Sequence, residues 1–121
     1  MAKPSARLMR ECIVSEAYSG QYNDPIRFRA GETVQVGQAD PDYPEWYWCR
    51  GPDGREGWVH ASLLSLHADA AVGLEDYSAR ELTVAAGEGG RVLRVLGGWV
   101  LLELDDGRTG WVPEHIVAAA A

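Results

Sequence analysis

One stretch of this chain is written twice. Gly54-Arg55-Glu56-Gly57-Trp58-Val59 returns as Gly107-Arg108-Thr109-Gly110-Trp111-Val112, at an offset of 53. Phe28-Arg29-Ala30-Gly31-Glu32 answers Val84-Ala85-Ala86-Gly87-Glu88 at an offset of 56, and Glu16-Ala17-Tyr18-Ser19 answers Glu75-Asp76-Tyr77-Ser78 at 59. The offset slips by three within residues 19–24 and again within 37–45, both rich in Gly, Pro, Asp and Asn. Such segments form loops, where insertions are tolerated. Slippage confined to loops marks a duplicated module. Each copy then has only about 55 residues, a size that buries a limited core. A catalytic fold built around a large cofactor does not fit, and packing of the copies on each other would help their stability.

Both copies read as short strands joined by turns, an all-β fold class. The second offers Ala71–Tyr77, Glu81–Val84, Arg91–Val95, Trp99–Leu104, Thr109–Val112 and Ile116-Val117. Asp105-Asp106-Gly107 is a hairpin signal, because glycine supplies the positive φ such turns need. Pro52-Asp53-Gly54 stands at the same place in the first copy. Alternation puts Val100 and Leu102 on one face of their strand and Trp99 and Leu101 on the other. No segment carries a 3.6-residue amphipathic period. The expectation is two small five-stranded barrels in tandem, over residues 11–66 and 71–117. A short linker at 67–70 joins them, with a basic tail over 1–10 and an alanine tail over 118–121.

Charge follows the repeat. Residues 1–10 hold Lys3, Arg7 and Arg10 and no acid, while 11–66 and 67–121 each carry nine acids against four bases. Clustered cations are what phosphate and anionic lipid require, so neither nucleic acid nor membrane is an expected partner. No apolar run follows the basic residues, so no secretory signal is read and a cytoplasmic location is expected. Cys12 and Cys49 lack metal-ligand spacing and read as two small buried hydrophobes. His60, His67 and His115 show no Ser, Cys or Asp constellation in the sequence, so no nucleophilic triad is read. The expected protein is not an enzyme and uses no cofactor or metal.

The second copy resembles a Src-homology-3 (SH3) domain. The resemblance rests on Gly73-Leu74-Glu75-Asp76-Tyr77, Glu81-Leu82-Thr83-Val84, Gly87-Glu88, Gly98-Trp99-Val100 and Gly110-Trp111-Val112-Pro113-Glu114-His115-Ile116-Val117. The first copy is similar through Tyr18, Pro25-Ile26-Arg27-Phe28, Gly31-Glu32, Glu45-Trp46-Tyr47 and Gly57-Trp58-Val59-His60. Its ending also resembles bacterial SH3-type modules that bind cell wall.

The resemblance implies a non-catalytic module that docks extended, proline-rich peptides on aromatic walls, with loop acids pairing to a basic ligand residue. Matched position by position, the second copy keeps Tyr77, Trp99 and Pro113 but has Glu75 and Ile116 where the family has tyrosines. The first keeps Tyr18 and Trp46, with Glu16, His60 and Leu63 at the other places. Neither half holds the full aromatic set. The first copy adds Asp24, Asp42, Tyr43 and Glu45 in loops beside Trp46, a combination suited to a cationic peptide through ion pairing and cation–π contact. It is therefore the expected binder of a basic or proline-rich protein segment. The alternatives are a peptidoglycan-binding module or an SH3-like accessory subunit of a larger complex.

Overall fold

The computed structural model describes residues 10–120. Its strands are β1 (Arg10–Val14), β2 (Arg27–Phe28), β3 (Thr33–Ala39), β4 (Trp46–Arg50), β5 (Glu56–His60), β6 (Leu64–His67), β7 (Ala70–Gly73), β8 (Tyr77–Ser78), β9 (Gly89–Leu96), β10 (Trp99–Leu104), β11 (Thr109–Pro113) and β12 (Val117–Ala119). Single 3-10 turns at Ala61–Leu63 and Glu114–Ile116 precede β6 and β12. The all-β expectation holds, and these elements are consistent with an SH3-like fold. The stretch Glu81–Val84 is not a continuous strand; it contributes isolated bridges, Glu81 to Trp111 and Val84 to Tyr18.

The compact units do not follow the linear halves. One takes the chain up to Gln21 together with Glu81 onward, and the other is Tyr22–Arg80. In the first unit the strand order is β11-β10-β9-β1-β12, so β1, the first strand of the first repeat, lies between strands of the second. Its register pairs Glu11 with Arg91 and Val14 with Val117. In the second unit the order is β5-β4-β3-β7-β6, so β7, the first strand of the second repeat, lies between strands of the first. Thr33 pairs with Val72 there, and Leu64 with Gly73. The chain crosses between units at 21–22 and again at 80–81.

The opening strand of each half thus lies in the sheet formed mainly by the other half, and the backbone bonds at the two junctions correspond. Gly87 N–H donates to Val14 O at 2.8 Å, and Gly31 N–H to Gly73 O at 2.8 Å. Ser15 N–H donates to Ile116 O, as Leu74 N–H does to Leu63 O. Tyr18 bridges Val84, and Tyr77 pairs with Phe28 across β2 and β8.

Two expected boundaries need correction for this reason. Residues 67–70 are not a linker between modules: His67 pairs with Ala70, and the turn at Ala68-Asp69 closes a β6–β7 hairpin inside one sheet. Nor are residues 118–120 a bare tail. Ala118 and Ala119 extend β12 against Ile13 and Cys12, because their backbone groups find partners on β1. The basic stretch at 1–10 lies outside the described residues except Arg10, which opens β1.

The core of the first unit gathers Cys12, Val14, Leu82, Val84, Val92, Val100, Leu102, Leu104, Val112 and Ile116, all buried. The expected alternation is present on β10, where Val100, Leu102 and Leu104 face inward while Trp99, Leu101 and Glu103 are half-buried. In the second unit Ile26, Phe28, Val34, Cys49, Val59, Leu63 and Leu64 are buried. Each such side chain contributes about 1.5–3 kcal/mol on full burial. The hairpin glycines adopt the expected positive φ, +88° at Gly54 and +94° at Gly107. Both cysteines are free and buried, in different units, and burial pushes the Cys49 thiol up to about 11. No described residues cluster as a metal site, and no described helix is long and apolar enough to cross a membrane.

Candidate functional site

The first unit brings together three of the anticipated residues from opposite ends of the chain. Tyr18 follows β1 and is held by reciprocal backbone bonds to Val84, Tyr18 N–H to Val84 O at 3.0 Å and Val84 N–H to Tyr18 O at 2.8 Å. Its ring meets Trp99 edge-on, with centroids 6.2 Å apart and planes at 76°. Trp99 opens β10 after the Gly97-Gly98 turn and lies cross-strand from Pro113 of β11. Trp99 and Pro113 are both half-buried, leaving apolar surface in reach of a ligand.

Acidic side chains accompany these rings. The Tyr18 hydroxyl donates to Glu81 Oε1 at 2.6 Å, and the same oxygen accepts Gln21 N–H at 3.1 Å. Glu16 lies 3.3 Å from His115. Chemically the surface offers two aromatic rings, a proline face and carboxylates, and no described group positioned as a nucleophile. The sequence reading kept Tyr18 with Trp46 and Tyr77 with Trp99. That grouping is corrected, because the arm carrying each tyrosine belongs to the other repeat's sheet.

The second unit holds the remaining anticipated residues. Trp46, buried, meets His60 edge-on at 5.1 Å and pairs with it across β4 and β5. Glu45 Oε2 lies 2.9 Å from His60 Nε2, and His60 Nδ1 accepts Ser62 N–H at 3.1 Å with Ser62 Oγ at 2.8 Å. A serine and an acid therefore do accompany one histidine, contrary to the sequence reading. His60 is the N-cap of the Ala61–Leu63 turn, its side chain accepting the Ser62 amide, so the arrangement caps that turn.

Tyr43 is 67% exposed, in a loop where Asp40 Oδ1 accepts the amides of Asp42 and Tyr43. Asp24, expected to meet a ligand cation, instead faces Arg55, 3.4 Å from its Nε. Tyr77 belongs to the second unit, where its hydroxyl donates to Trp58 O at 2.8 Å and its ring packs on Phe28 at 5.5 Å. It lines an open hollow with Arg27, Arg29, Glu32, Asp53 and Asp76, where the acids outnumber the bases.

One aromatic cluster escaped the sequence reading. Trp48 and Trp58 pair across β4 and β5 with ring centroids at 5.2 Å, Tyr22 lies 5.7 Å from Trp48, and Trp48 Nε1–H donates to Glu56 at 2.7 Å. The signal was available: Trp46 and Trp48 are two apart on one strand and so share a face.

Residues 12–66 match the family model of the variant SH3 domain, and that segment carries one such domain, in general a non-catalytic protein–protein interaction module. The match spans less than half of the chain and covers strands that contribute to both units. No curated protein matches the chain.

Proposed function

We propose that this protein recognises an extended peptide segment of a partner protein, proline-rich or basic, on the surface formed by Tyr18, Trp99 and Pro113. The observation that carries the reading is the Tyr18–Trp99 ring contact with Pro113 opposite Trp99. A polyproline II ligand loses little entropy on docking and presents ridges to such rings. Glu81 and Glu16 supply the sign that selects a Lys or Arg on the ligand. In this reading the protein is a pair of SH3-like barrels, each completed by an arm of the other repeat, and Trp46 with Glu45 is a secondary contact.

The test is an NMR titration with pooled proline-rich and basic peptides, following the tryptophan indoles. The Trp99 indole is expected to move first, and Trp99→Ala and Tyr18→Ala each to weaken binding by roughly 30-fold, about 2 kcal/mol. A titration that moves only the Trp46 indole, with binding unchanged in Trp99→Ala, sinks the assignment.

A further inference from the structure

The two arms are chemically different at equivalent positions, and each matches only the sheet it occupies. Val14 ends β1 and lies in the core cluster with Val84. Gly73 ends β7, and a methyl group there would lie 2.6 Å from Phe28 Cδ1 and 2.7 Å from Cε1. By the repeat, Val14 corresponds to Gly73 and Val84 to Phe28. One unit therefore combines two medium side chains, and the other combines none with a phenyl ring.

Unexchanged arms would reverse these matches. Val14 would be driven into the Phe28 ring, and Gly73 would leave a void beside Val84. Close-packed interiors penalise both errors. A polar match points the same way. The Tyr18 hydroxyl finds Glu81 at 2.6 Å, whereas the first repeat has Pro25 at the equivalent place, with no side-chain acceptor.

We infer that the volume pairs Val14/Val84 and Gly73/Phe28, together with the Tyr18–Glu81 bond, specify intrachain exchange of the opening arms. Exchange is what brings Tyr18 to Trp99, so these core residues decide which tyrosine a ligand meets. The inference about exchange stands on packing and on the Tyr18–Glu81 bond. Its link to a ligand rests on the proposed recognition surface.

A double-mutant cycle on the full chain tests the pairing. Gly73→Val is expected to lower the thermal midpoint by roughly 10 °C, and Phe28→Val alone to lower it as well. Gly73→Val/Phe28→Val should recover at least half of the Gly73→Val loss, since it recreates the Val–Val pair of the other unit. Additive losses, or a Gly73→Val substitution that is neutral and couples to Val84, would overturn the inference.

Should the single variants not fold, the wild-type chain still decides. Cross-strand NOEs from Glu11 to Arg91 in a protein of monomer mass support intrachain exchange. NOEs from Glu11 to Gln35, or a dimer mass, refute it. Both readouts are independent of any ligand, so a failed peptide titration leaves them intact.

Discussion

Ala68 sits at φ +58° in the β6–β7 turn, a left-handed conformation that crowds its Cβ against the backbone. Glycine has no such penalty, and Ala68 is exposed, so little packing is lost on replacement. Ala68→Gly should stabilise the protein by about 1 kcal/mol, read from urea unfolding with an unchanged m-value. A destabilised variant would mean that the turn does not hold this geometry. Phe28 and Gly73 make a related point about single residues. The glycine at 73, read in the sequence only as part of an expected strand, is in the sheet the space a phenyl ring fills.

The hairpin turns after β4 and β10 show how closely the repeat is kept in the elements. Gly51 N–H donates to Arg55 O and Leu104 N–H to Arg108 O, each at 2.8 Å. Asp53 and Asp106 then each accept the amide of the arginine two residues on, at 3.1 and 3.0 Å. Those amides, followed by the arginine side chains, hold both carboxyls below their ordinary value. A folded-state pKa depressed in this way adds stability above the ordinary carboxylate range and loses it as pH falls through the folded value. Asp53→Asn/Asp106→Asn keeps a side-chain acceptor for the amide but removes the charge. Its stability should therefore fall less steeply than wild type below about pH 4 in acid titrations followed by fluorescence. An unchanged acid limb would show that the arginine pairs contribute nothing to folding.

Exchange of β1 and β7 makes the two halves of the chain interdependent. A fragment ending at Leu66 lacks β7, which supplies partners to Thr33, Val34 and Gln35 and covers β6. The complementary fragment from His67 lacks β1, the strand that joins β12 to β9. Neither fragment is expected to fold alone, and mixing them should restore native-like dispersion in a proton–nitrogen spectrum. An isolated 1–66 fragment that folds cooperatively would argue for a linear arrangement. The variant SH3 match over residues 12–66 therefore identifies a stretch of sequence whose strands are divided between two compact units.

Much of this was legible in the sequence. Alternation on β10 put Val100 and Leu102 on one face, the face the structure buries, and Gly54 and Gly107 announced their hairpins, because strand period and positive φ are local properties. The repeat itself gave equivalent junction bonds, such as those of Gly31 and Gly87, without saying which arm would make them. That choice belongs to tertiary structure. Backbone groups of the two arms are alike, so hydrogen bonding accepts either partner, and the local sequence of Tyr18 or Tyr77 carries no record of which tryptophan it will face. Side-chain volume separates the alternatives only when residues far apart in the sequence, such as Phe28 and Gly73, are in contact. Strand period and turn chemistry are written locally in the sequence, whereas the pairing of β1 with β9 and of β7 with β3 is decided only in the tertiary structure, where distant residues meet.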